Sequence, residues 1–304
     1  NTSRQLSSQY FSFAHRLKIF FTRNHFKIFF YTSSWKKFLN LYIGTKQIKG
    51  ICIISFIPNK KLRVAFTYNI KPEENSTSNS TPLSLSENSN QKVNDAFAEW
   101  DTKDTIDAMK DALSIFHDVI MIEADENAFH KFKETKPDIV FNFAECAYGI
   151  SREAQIPAML DMLRIPYTGS DPLTLTICLD KARTKEILSY HKIPTSKFLL
   201  VETIEDLKDF NLSFPVMIKP VGEGSGKGIF NSSFINDFEV LFERLNTGLA
   251  EYNQPFIVEE FLPGREFTVA IIGNKSESEV LPIVEINFSE LPKELIPIYS
   301  YEAK

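Results

Sequence analysis

The sequence has few cysteines and no long apolar run. These two features limit the classes of protein to which it can belong. Its three cysteines, Cys52, Cys146 and Cys178, lie far apart and form no CxxC pair. This argues against a disulfide framework or a zinc knuckle and is typical of a reducing compartment. No stretch of eighteen or more apolar residues occurs, so no membrane-spanning helix is expected. We therefore expect a cytoplasmic protein whose 304 residues allow two or three domains.

Acidic residues are missing from the first part of the chain. Residues 1–72 contain 13 of the 34 lysines and arginines and no Asp or Glu, so the rest carries 21 basic and 39 acidic side chains. Such asymmetry is typical of an appended segment. Residues 1–60 are predicted to be a non-catalytic basic extension. A targeting presequence and a nucleic-acid-binding arm are the alternatives.

Glycine is scarce, but four of the 11 glycines fall within residues 222–228, which read GEGSGKG. The preceding residues 214–220, FPVMIKP, predict a buried strand that brings Lys219 to its end. Glycines let backbone N–H groups approach an anion, and lysine supplies positive charge. The loop is not a Walker A motif, because Val221 stands where that motif has glycine and Gly228 where it has Ser or Thr. The pattern indicates a polyphosphate site, with a plain turn as the alternative.

Strand and helix signals alternate before this loop. Apolar runs predict three strands, at residues 62–68, 119–123 and 138–144. Four apolar residues at helical spacing predict a helix between the first two strands: Ile106, Met109, Leu113 and Phe116. Alternation of this kind favours a parallel α/β sheet.

Helix starts and one loop can also be assigned. Asp101 is predicted to cap the first helix, Ser151 to cap a helix that runs through Leu163, and Pro172 to begin the next helix after Asp171. Residues 73–94 are rich in Ser and Asn and are predicted to be a mobile loop.

Three further blocks flank the predicted strand that carries Lys219. Upstream, residues 165–172 read IPYTGSDP and residues 179–185 read LDKARTK; downstream, residues 256–269 read FIVEEFLPGREFTV. In this order and spacing, the blocks resemble the ATP-grasp superfamily, and within it the D-alanine–D-alanine ligases and their close relatives. The resemblance covers the chain from about residue 61 to its last residue.

The resemblance implies a domain organisation. Residues 61–172 would form an N-terminal parallel α/β domain, and residues 173–258 the central domain of an ATP-grasp fold of the α+β class. Residues 259–304 would begin its C-terminal domain, which is expected to be incomplete at the C-terminus.

The resemblance also implies an ATP site. Lys181 would touch the α-phosphate and Lys219 the α- and β-phosphates. Ser225 and Gly226, with the neighbouring N–H groups, would close over the phosphate chain.

The adenosine part of ATP is assigned in the same way. The hinge between the two ATP-grasp domains would be formed by Glu259, Glu260, Phe261 and Leu262. Glu259 would accept a hydrogen bond from the adenine amino group, and Glu266 would bind the ribose hydroxyls.

Three residues are implied in catalysis. Glu99 would hold the amino group of the first amino-acid substrate, Ser225 would belong to the closing loop, and Lys304 would reach the γ-phosphate. The sequence has Glu145 and Cys146 where D-alanine ligases usually have His-Gly, so a different amino-acid pocket is expected. The family's Mg²⁺ ligands would lie beyond the last residue, so no metal ligand is predicted in this chain.

The implied activity is an ADP-forming, ATP-dependent carboxylate–amine ligase that forms a peptide-like bond through an acyl phosphate. ATP, Mg²⁺ and amino acids would be its small-molecule partners, with no nucleic acid and no membrane, and a homodimer is an open option. Two alternatives remain. One is an ATP-grasp ligase with other amino-acid or carrier-protein substrates. The other is a non-catalytic nucleotide-binding fragment, and the chain as given is expected to be inactive.

Overall fold

A computed structural model describes residues 61–72 and 95–303, together with the backbone of two short antiparallel strands, Phe20–Thr22 (β1) and His25–Lys27 (β2). The predictions for the basic extension 1–60, apart from these strands, and for the loop 73–94 and Lys304 lie outside the described residues.

The first sheet is parallel, as the alternating strands and helices predicted. Its strands are Arg63–Tyr68 (β3), Asp118–Glu123 (β4) and Ile139–Asn142 (β5), arranged in the order β4-β3-β5. Two helices make the connections, Lys103–Ser114 (α1) and Ala128–Thr135 (α2). The carboxyl ends of all three strands therefore lie at one edge, where parallel sheets place ligands.

Both faces of this sheet are buried, because alternate residues of β3 point to opposite sides. Val64 and Phe66 pack in one cluster with the α1 residues Ile106, Met109 and Leu113. The predicted helical face is thus confirmed for these three residues. On the other face, Ala65 packs with residues of α2 and of the helix Gln155–Leu163 (α3): Ala128, Phe132, Ile156 and Leu160.

Two predicted helix caps are wrong. Thr102, not Asp101, caps α1, and its hydroxyl accepts from the Thr105 N–H at 3.4 Å. Ser151 makes no capping bond; it precedes a 3₁₀ turn, Arg152–Ala154, which displaces the start of α3 to Gln155. The Thr102 hydroxyl takes the capping role expected of Asp101, and the 3₁₀ turn replaces the first helical turn expected after Ser151. Residue spacing in the sequence does not reveal either alternative.

The cap before the next helix is confirmed. The Asp171 carboxylate accepts from the Thr174 N–H at 3.1 Å, and Pro172 opens the helix Pro172–Leu179 (α4). Proline fits this first turn because its missing N–H has no intrahelical partner to lose.

The second sheet is antiparallel. Its strands are Phe198–Val201 (β6), Val216–Pro220 (β7), Phe234–Ile235 (β8) and Phe256–Glu260 (β9), in the order β6-β9-β7-β8. Two helices belong to this part of the chain, Lys181–Tyr190 (α5) and Phe238–Tyr252 (α6). The predicted buried strand is confirmed, since Val216, Met217 and Ile218 are at most 5% exposed.

Two small antiparallel pairs follow. Glu266–Thr268 (β10) pairs with Val284–Ile286 (β13), and Ile271–Ile272 (β11) pairs with Glu279–Val280 (β12). The architecture is a parallel α/β unit followed by an α+β unit, which confirms the predicted fold class. No helix in the part of the chain that the structure describes is long and apolar enough to cross a membrane.

Candidate functional site

The β7 strand brings Lys219 to the start of the glycine-rich segment 222–228, here called the glycine loop. Met217, two residues earlier on the same face of β7, lies directly opposite Glu259 of β9. Lys219 and Glu259 are therefore diagonal neighbours across the two strands, and their side chains form an ion pair. Both side chains are largely buried, with Lys219 26% and Glu259 11% exposed.

Glu259 is shared by a second lysine that the sequence did not single out. The Lys185 Nζ of α5 lies 3.0 Å from the Glu259 Oε2 and also donates to the hydroxyls of Thr195 and Ser196, both at 2.7 Å. Burial alone would raise the pKa of Glu259. The charges and hydrogen bonds of Lys219 and Lys185 outweigh it and hold that pKa below its usual value.

Lys181 opens α5 and points its amine at the start of the glycine loop. Its Nζ donates to the carbonyl oxygens of Val221, at 3.3 Å, and of Glu223. Burial and then the positive charge of Lys219 lower the pKa of Lys181 to about 8, although Glu223 and Glu99 oppose this. An anion placed beside Lys181 and Lys219 would relieve their mutual repulsion, so these two amines fit the phosphate groups of a nucleotide.

The glycine loop contains backbone conformations that only some residues adopt. Ser225, Gly226 and Gly228 have positive φ angles of 52°, 76° and 71°. At Gly228, an added Cβ would lie 2.3 Å from the Pro220 Cγ. Glycine is therefore required at this position by both conformation and space.

Arg152 is the centre of a buried charge cluster. Its Nη2 lies 2.6 and 2.8 Å from the two carboxylate oxygens of Glu99 and 3.2 Å from Glu223, and its Nη1 donates to the Gly222 carbonyl at 2.6 Å. Burial opposes the charge, but Glu99 and Glu223 raise the pKa of Arg152 above its ordinary value. The Gly224 N–H also donates to Glu99, at 2.5 Å.

This cluster was not predicted as a unit. Arg152 follows β5 and Glu99 precedes α1, so the parallel sheet brings both to its carboxyl edge. Sequence spacing gave no sign that the two side chains meet the glycine loop. A single buried arginine beside two carboxylates becomes visible only when the loops are in place.

The backbone of the segment after β5 is held by side chains of neighbouring segments. The Asn69 Oδ1 accepts from the N–H groups of Glu145, at 3.1 Å, and Cys146, at 2.8 Å, while the Trp100 indole donates to the Cys146 carbonyl at 3.3 Å. Glu145 is half-buried and Cys146 is buried. Burial raises the pKa of the Cys146 thiol to about 11, so this thiol is neutral at physiological pH.

The predicted hinge residues are not equivalent in their contacts. The Glu260 carboxylate accepts a hydrogen bond from the Ser213 N–H, at 3.1 Å, and the Phe261 N–H donates to the Pro215 carbonyl at 3.0 Å. Leu262 is 68% exposed. Glu266 is half-buried; burial raises its pKa, while the Tyr299 backbone and the charge of Lys219 act in the opposite direction.

Most of the predicted site residues lie near the glycine loop. The structure brings six of them to the glycine loop and the neighbouring ends of β7 and β9: Glu99, Lys181, Lys219, Ser225, Gly226 and Glu259. Glu260 is the last residue of β9, Phe261 follows it, and Glu266 opens β10. Within residues 61–72 and 95–303, no group of three or more His, Cys, Asp or Glu side chains is arranged to hold a metal ion.

Comparison with known proteins finds similarity to D-alanine–D-alanine ligases. The family model described as D-ala D-ala ligase C-terminus matches residues 187–304. The chain resembles the D-alanine–D-alanine ligases of the ATP-grasp superfamily. The D-alanine–D-alanine ligase of Pelagibacter ubique is 33% identical over 201 residues, which cover 64% of this chain and 60% of that protein. The enzyme of Pelotomaculum thermopropionicum is 32% identical over 195 residues, 61% of this chain and 57% of that protein.

A solved structure shares the fold of this chain. The crystal structure of the Helicobacter pylori D-alanine–D-alanine ligase covers 75% of this chain, with 76% of its own length matched, a TM-score of 0.51 and 16% identity. At this identity the likeness concerns the fold alone. The chain matches 57–60% of the length of the two bacterial ligases above.

Proposed function

We propose that this chain binds ATP against β7, the glycine loop and the end of β9, as part of an ATP-dependent ligase that joins a carboxylate to an amine. The observation that carries the proposal is the pair of amines at the base of the loop. Lys181 is half-buried and feels the charge of Lys219, and Glu259, the carboxylate paired with Lys219, is shared with Lys185. A further anion beside the two amines would therefore offset their mutual repulsion. A phosphate chain is such an anion.

The two lysines and the loop residues have separate roles in this proposal. Lys181 and Lys219 neutralise the α- and β-phosphates, and Ser225 and Gly226 close over the phosphate chain. The reaction would begin with phosphoryl transfer from ATP to the substrate carboxylate, and the amine would then attack the acyl phosphate and expel phosphate. Such catalysis depends on positioning and on neutralising charge rather than on a protein nucleophile.

The adenosine would lie along the segment after β9. The Phe261 N–H is already bonded to Pro215, so the Phe261 carbonyl and the exposed Leu262 are the groups left to contact the adenine ring. Glu266 would accept from the ribose hydroxyls. Glu259 would reach the adenine amino group only with one of its two lysine bonds exchanged, because both carboxylate oxygens are engaged.

The domain division is also part of the proposal. Residues 61–172, 173–258 and 259–304 would be the N-terminal, central and C-terminal units, with the ATP between the last two. Mg²⁺ would supply further positive charge beside the phosphates in the ligase reaction. The described residues provide no cluster to hold it, so we assign no step to a metal ligand of this chain.

The amine substrate is proposed to differ from D-alanine. Glu99, which the resemblance assigns to the substrate amino group, already accepts from Arg152 and from the Gly224 N–H. Glu145 is a half-buried acidic residue next to Cys146, whose carbonyl accepts from Trp100, the neighbour of Glu99. The first observation argues against the usual amine contact at Glu99. The acidic Glu145 favours an amine-rich or basic acceptor, and with it the alternative of an ATP-grasp ligase with other substrates.

Nucleotide binding can be tested by calorimetry with Mg-ATP. Lys219→Met removes one charge-assisted phosphate contact, worth roughly 1.5–3 kcal/mol, so affinity should fall about 10- to 100-fold. Lys208→Met, at an exposed lysine of the 3₁₀ helix Ile204–Asp209, is the matched control and should bind as the wild type does. Unchanged affinity of Lys219→Met, with the circular dichroism spectrum intact, would remove Lys219 from the site.

The ligase reaction can be tested by ATP-dependent phosphate release with a panel of amino acids. We expect weaker release with D-alanine as sole substrate than with basic amino acids. Strong activity with D-alanine alone would contradict the substrate proposal. ATP binding without release from any substrate would instead favour the non-catalytic nucleotide-binding alternative.

A further inference from the structure

The last glycine of the loop is tied to an acidic residue that lies far away in the sequence. The Gly228 N–H donates to the Asp95 Oδ2 at 2.8 Å, and the hydroxyl of Tyr252 donates to the same oxygen at 2.7 Å. Asp95 is 9% exposed. A buried carboxylate is costly unless it is hydrogen-bonded, so this oxygen depends on its two donors.

Tyr252 is itself held in place at the end of α6. Its ring packs edge-on against Phe256, with centroids 5.9 Å apart and an interplanar angle of 71°. Burial and then the hydrogen bond to Asp95 raise the pKa of Tyr252. Its hydroxyl therefore keeps its proton and remains a donor at neutral pH.

Gly228 is also enclosed by its neighbours. A Cβ at this position would meet Pro220 at 2.3 Å and the Tyr252 Cζ at 3.2 Å. Gly228, the last residue of the loop, therefore lies between the rings of Pro220 and Tyr252, and its N–H is bonded to Asp95.

The other end of the loop is anchored by different residues. The Gly222 N–H donates to the Gln254 Oε1 at 2.8 Å, and its carbonyl accepts from Arg152 at 2.6 Å. Ser225 and Gly226 lie between the two anchors. Asp95 and Tyr252 therefore complete a two-point attachment of the loop.

We propose that Asp95 and Tyr252 are positioning residues that hold the C-terminal end of the glycine loop, so that Ser225 and Gly226 are ready to meet the phosphate chain. The inference rests on the proposed function. Neither residue needs to touch the nucleotide, because both act through Gly228. A loop that is ordered before binding loses less conformational entropy when the ligand arrives, which raises affinity.

The two hydrogen bonds to Asp95 can be removed separately or together by substitution. Both bonds end on one oxygen of Asp95, so Asp95→Asn can keep both with its amide oxygen. Asp95→Ala removes both bonds, and Tyr252→Phe removes one while keeping the ring. We therefore expect Asp95→Asn to behave as the wild type, and the other two variants to be impaired, Asp95→Ala at least as strongly as Tyr252→Phe.

Two measurements separate loop positioning from general stability. The first is the rate of tryptic cleavage after Lys227, within the loop, compared with cleavage after the exposed Lys208, both without nucleotide. The second is the affinity for the non-hydrolysable analogue AMP-PNP by calorimetry. Asp95→Ala and Tyr252→Phe should raise cleavage after Lys227 and weaken AMP-PNP binding, each by about tenfold or more, the equivalent of one lost charge-assisted hydrogen bond.

The outcomes are distinguishable. Equal acceleration at Lys227 and Lys208 would show a global loss of stability and overturn the inference, as would an Asp95→Asn variant as impaired as Asp95→Ala. If Asp95→Ala does not fold, Tyr252→Phe carries the test. If the wild type does not bind AMP-PNP, the proposed function fails, whereas the cleavage rates alone still decide whether Asp95 and Tyr252 hold the loop.

Discussion

The Arg152 guanidinium contacts both carboxylate oxygens of Glu99, at 2.6 and 2.8 Å. This contact joins the segment after β5 to the segment before α1, and both side chains are 8% exposed. The same Nη2 lies 3.2 Å from the Glu223 carboxylate of the glycine loop. One buried cation thus links the parallel sheet to the loop. Its removal would take the arginine away from Glu99, whereas Glu223 would keep its ion pair with Lys227, at 3.0 Å.

Arg152→Met should therefore be strongly destabilising. Breaking a buried ion pair on one side costs about 3–5 kcal/mol, because the remaining charge stays buried. Guanidinium denaturation followed by circular dichroism would measure the loss. Arg183→Met is the matched control: Arg183 pairs with Glu186 at 2.7 Å on the exposed surface of α5, so it should cost less than about 1 kcal/mol. Similar losses for the two variants would argue against a buried cluster.

Nucleotide affinity should depend on the protonation of Lys181. Its pKa is about 8 in the free protein, and a bound phosphate would raise that pKa. Affinity should thus be full below pH 8 and fall above it, by up to about tenfold for each pH unit. Calorimetry in two buffers of different ionisation enthalpy would detect the proton taken up. Lys181→Arg, which stays charged, should flatten the profile; an equally steep profile in this variant would assign the proton to another group.

Gly228→Ala should destabilise the chain more than Gly169→Ala. Both glycines have positive φ angles, 71° and 94°, so both substitutions carry backbone strain of about 1–2 kcal/mol. An added Cβ meets nothing within 4 Å at Gly169 but meets Pro220 at Gly228. Overpacking should add about 1–3 kcal/mol there. Denaturation midpoints of the two variants would give the difference, and equal midpoints would mean that the Pro220 ring yields freely.

Acid should destabilise the protein partly through Glu259. Lys219 and Lys185 hold the pKa of Glu259 below 4.5 in the folded state. A carboxyl with a lowered pKa contributes stability above its unfolded pKa, and this contribution is lost as pH falls through the folded pKa. Glu259→Gln should therefore lose less stability than the wild type between about pH 5 and pH 3. Unfolding curves at a series of pH values would show this, and parallel curves would contradict it.

Several elements followed directly from local pattern. The alternating strands and helices predicted the parallel sheet, the run of Val216, Met217 and Ile218 predicted a buried strand, and Asp171 before Pro172 predicted a helix start; all are present. The cap predictions at Asp101 and Ser151 failed because nearby residues offered competing local geometries. Patterns of burial are averages over many residues, whereas a cap depends on one side chain.

The sequence by itself determined the order of the elements, the apolar faces, and a lysine strand followed by a glycine loop that resembles a known family. Only the tertiary structure decided which charges meet. Asp95 and Gly228, or Arg152 and Glu223, lie more than 70 positions apart, and a contact over such a distance leaves no periodic signal in the chain. Burial then decides its strength, because charges removed from water interact more strongly than the same charges on the surface.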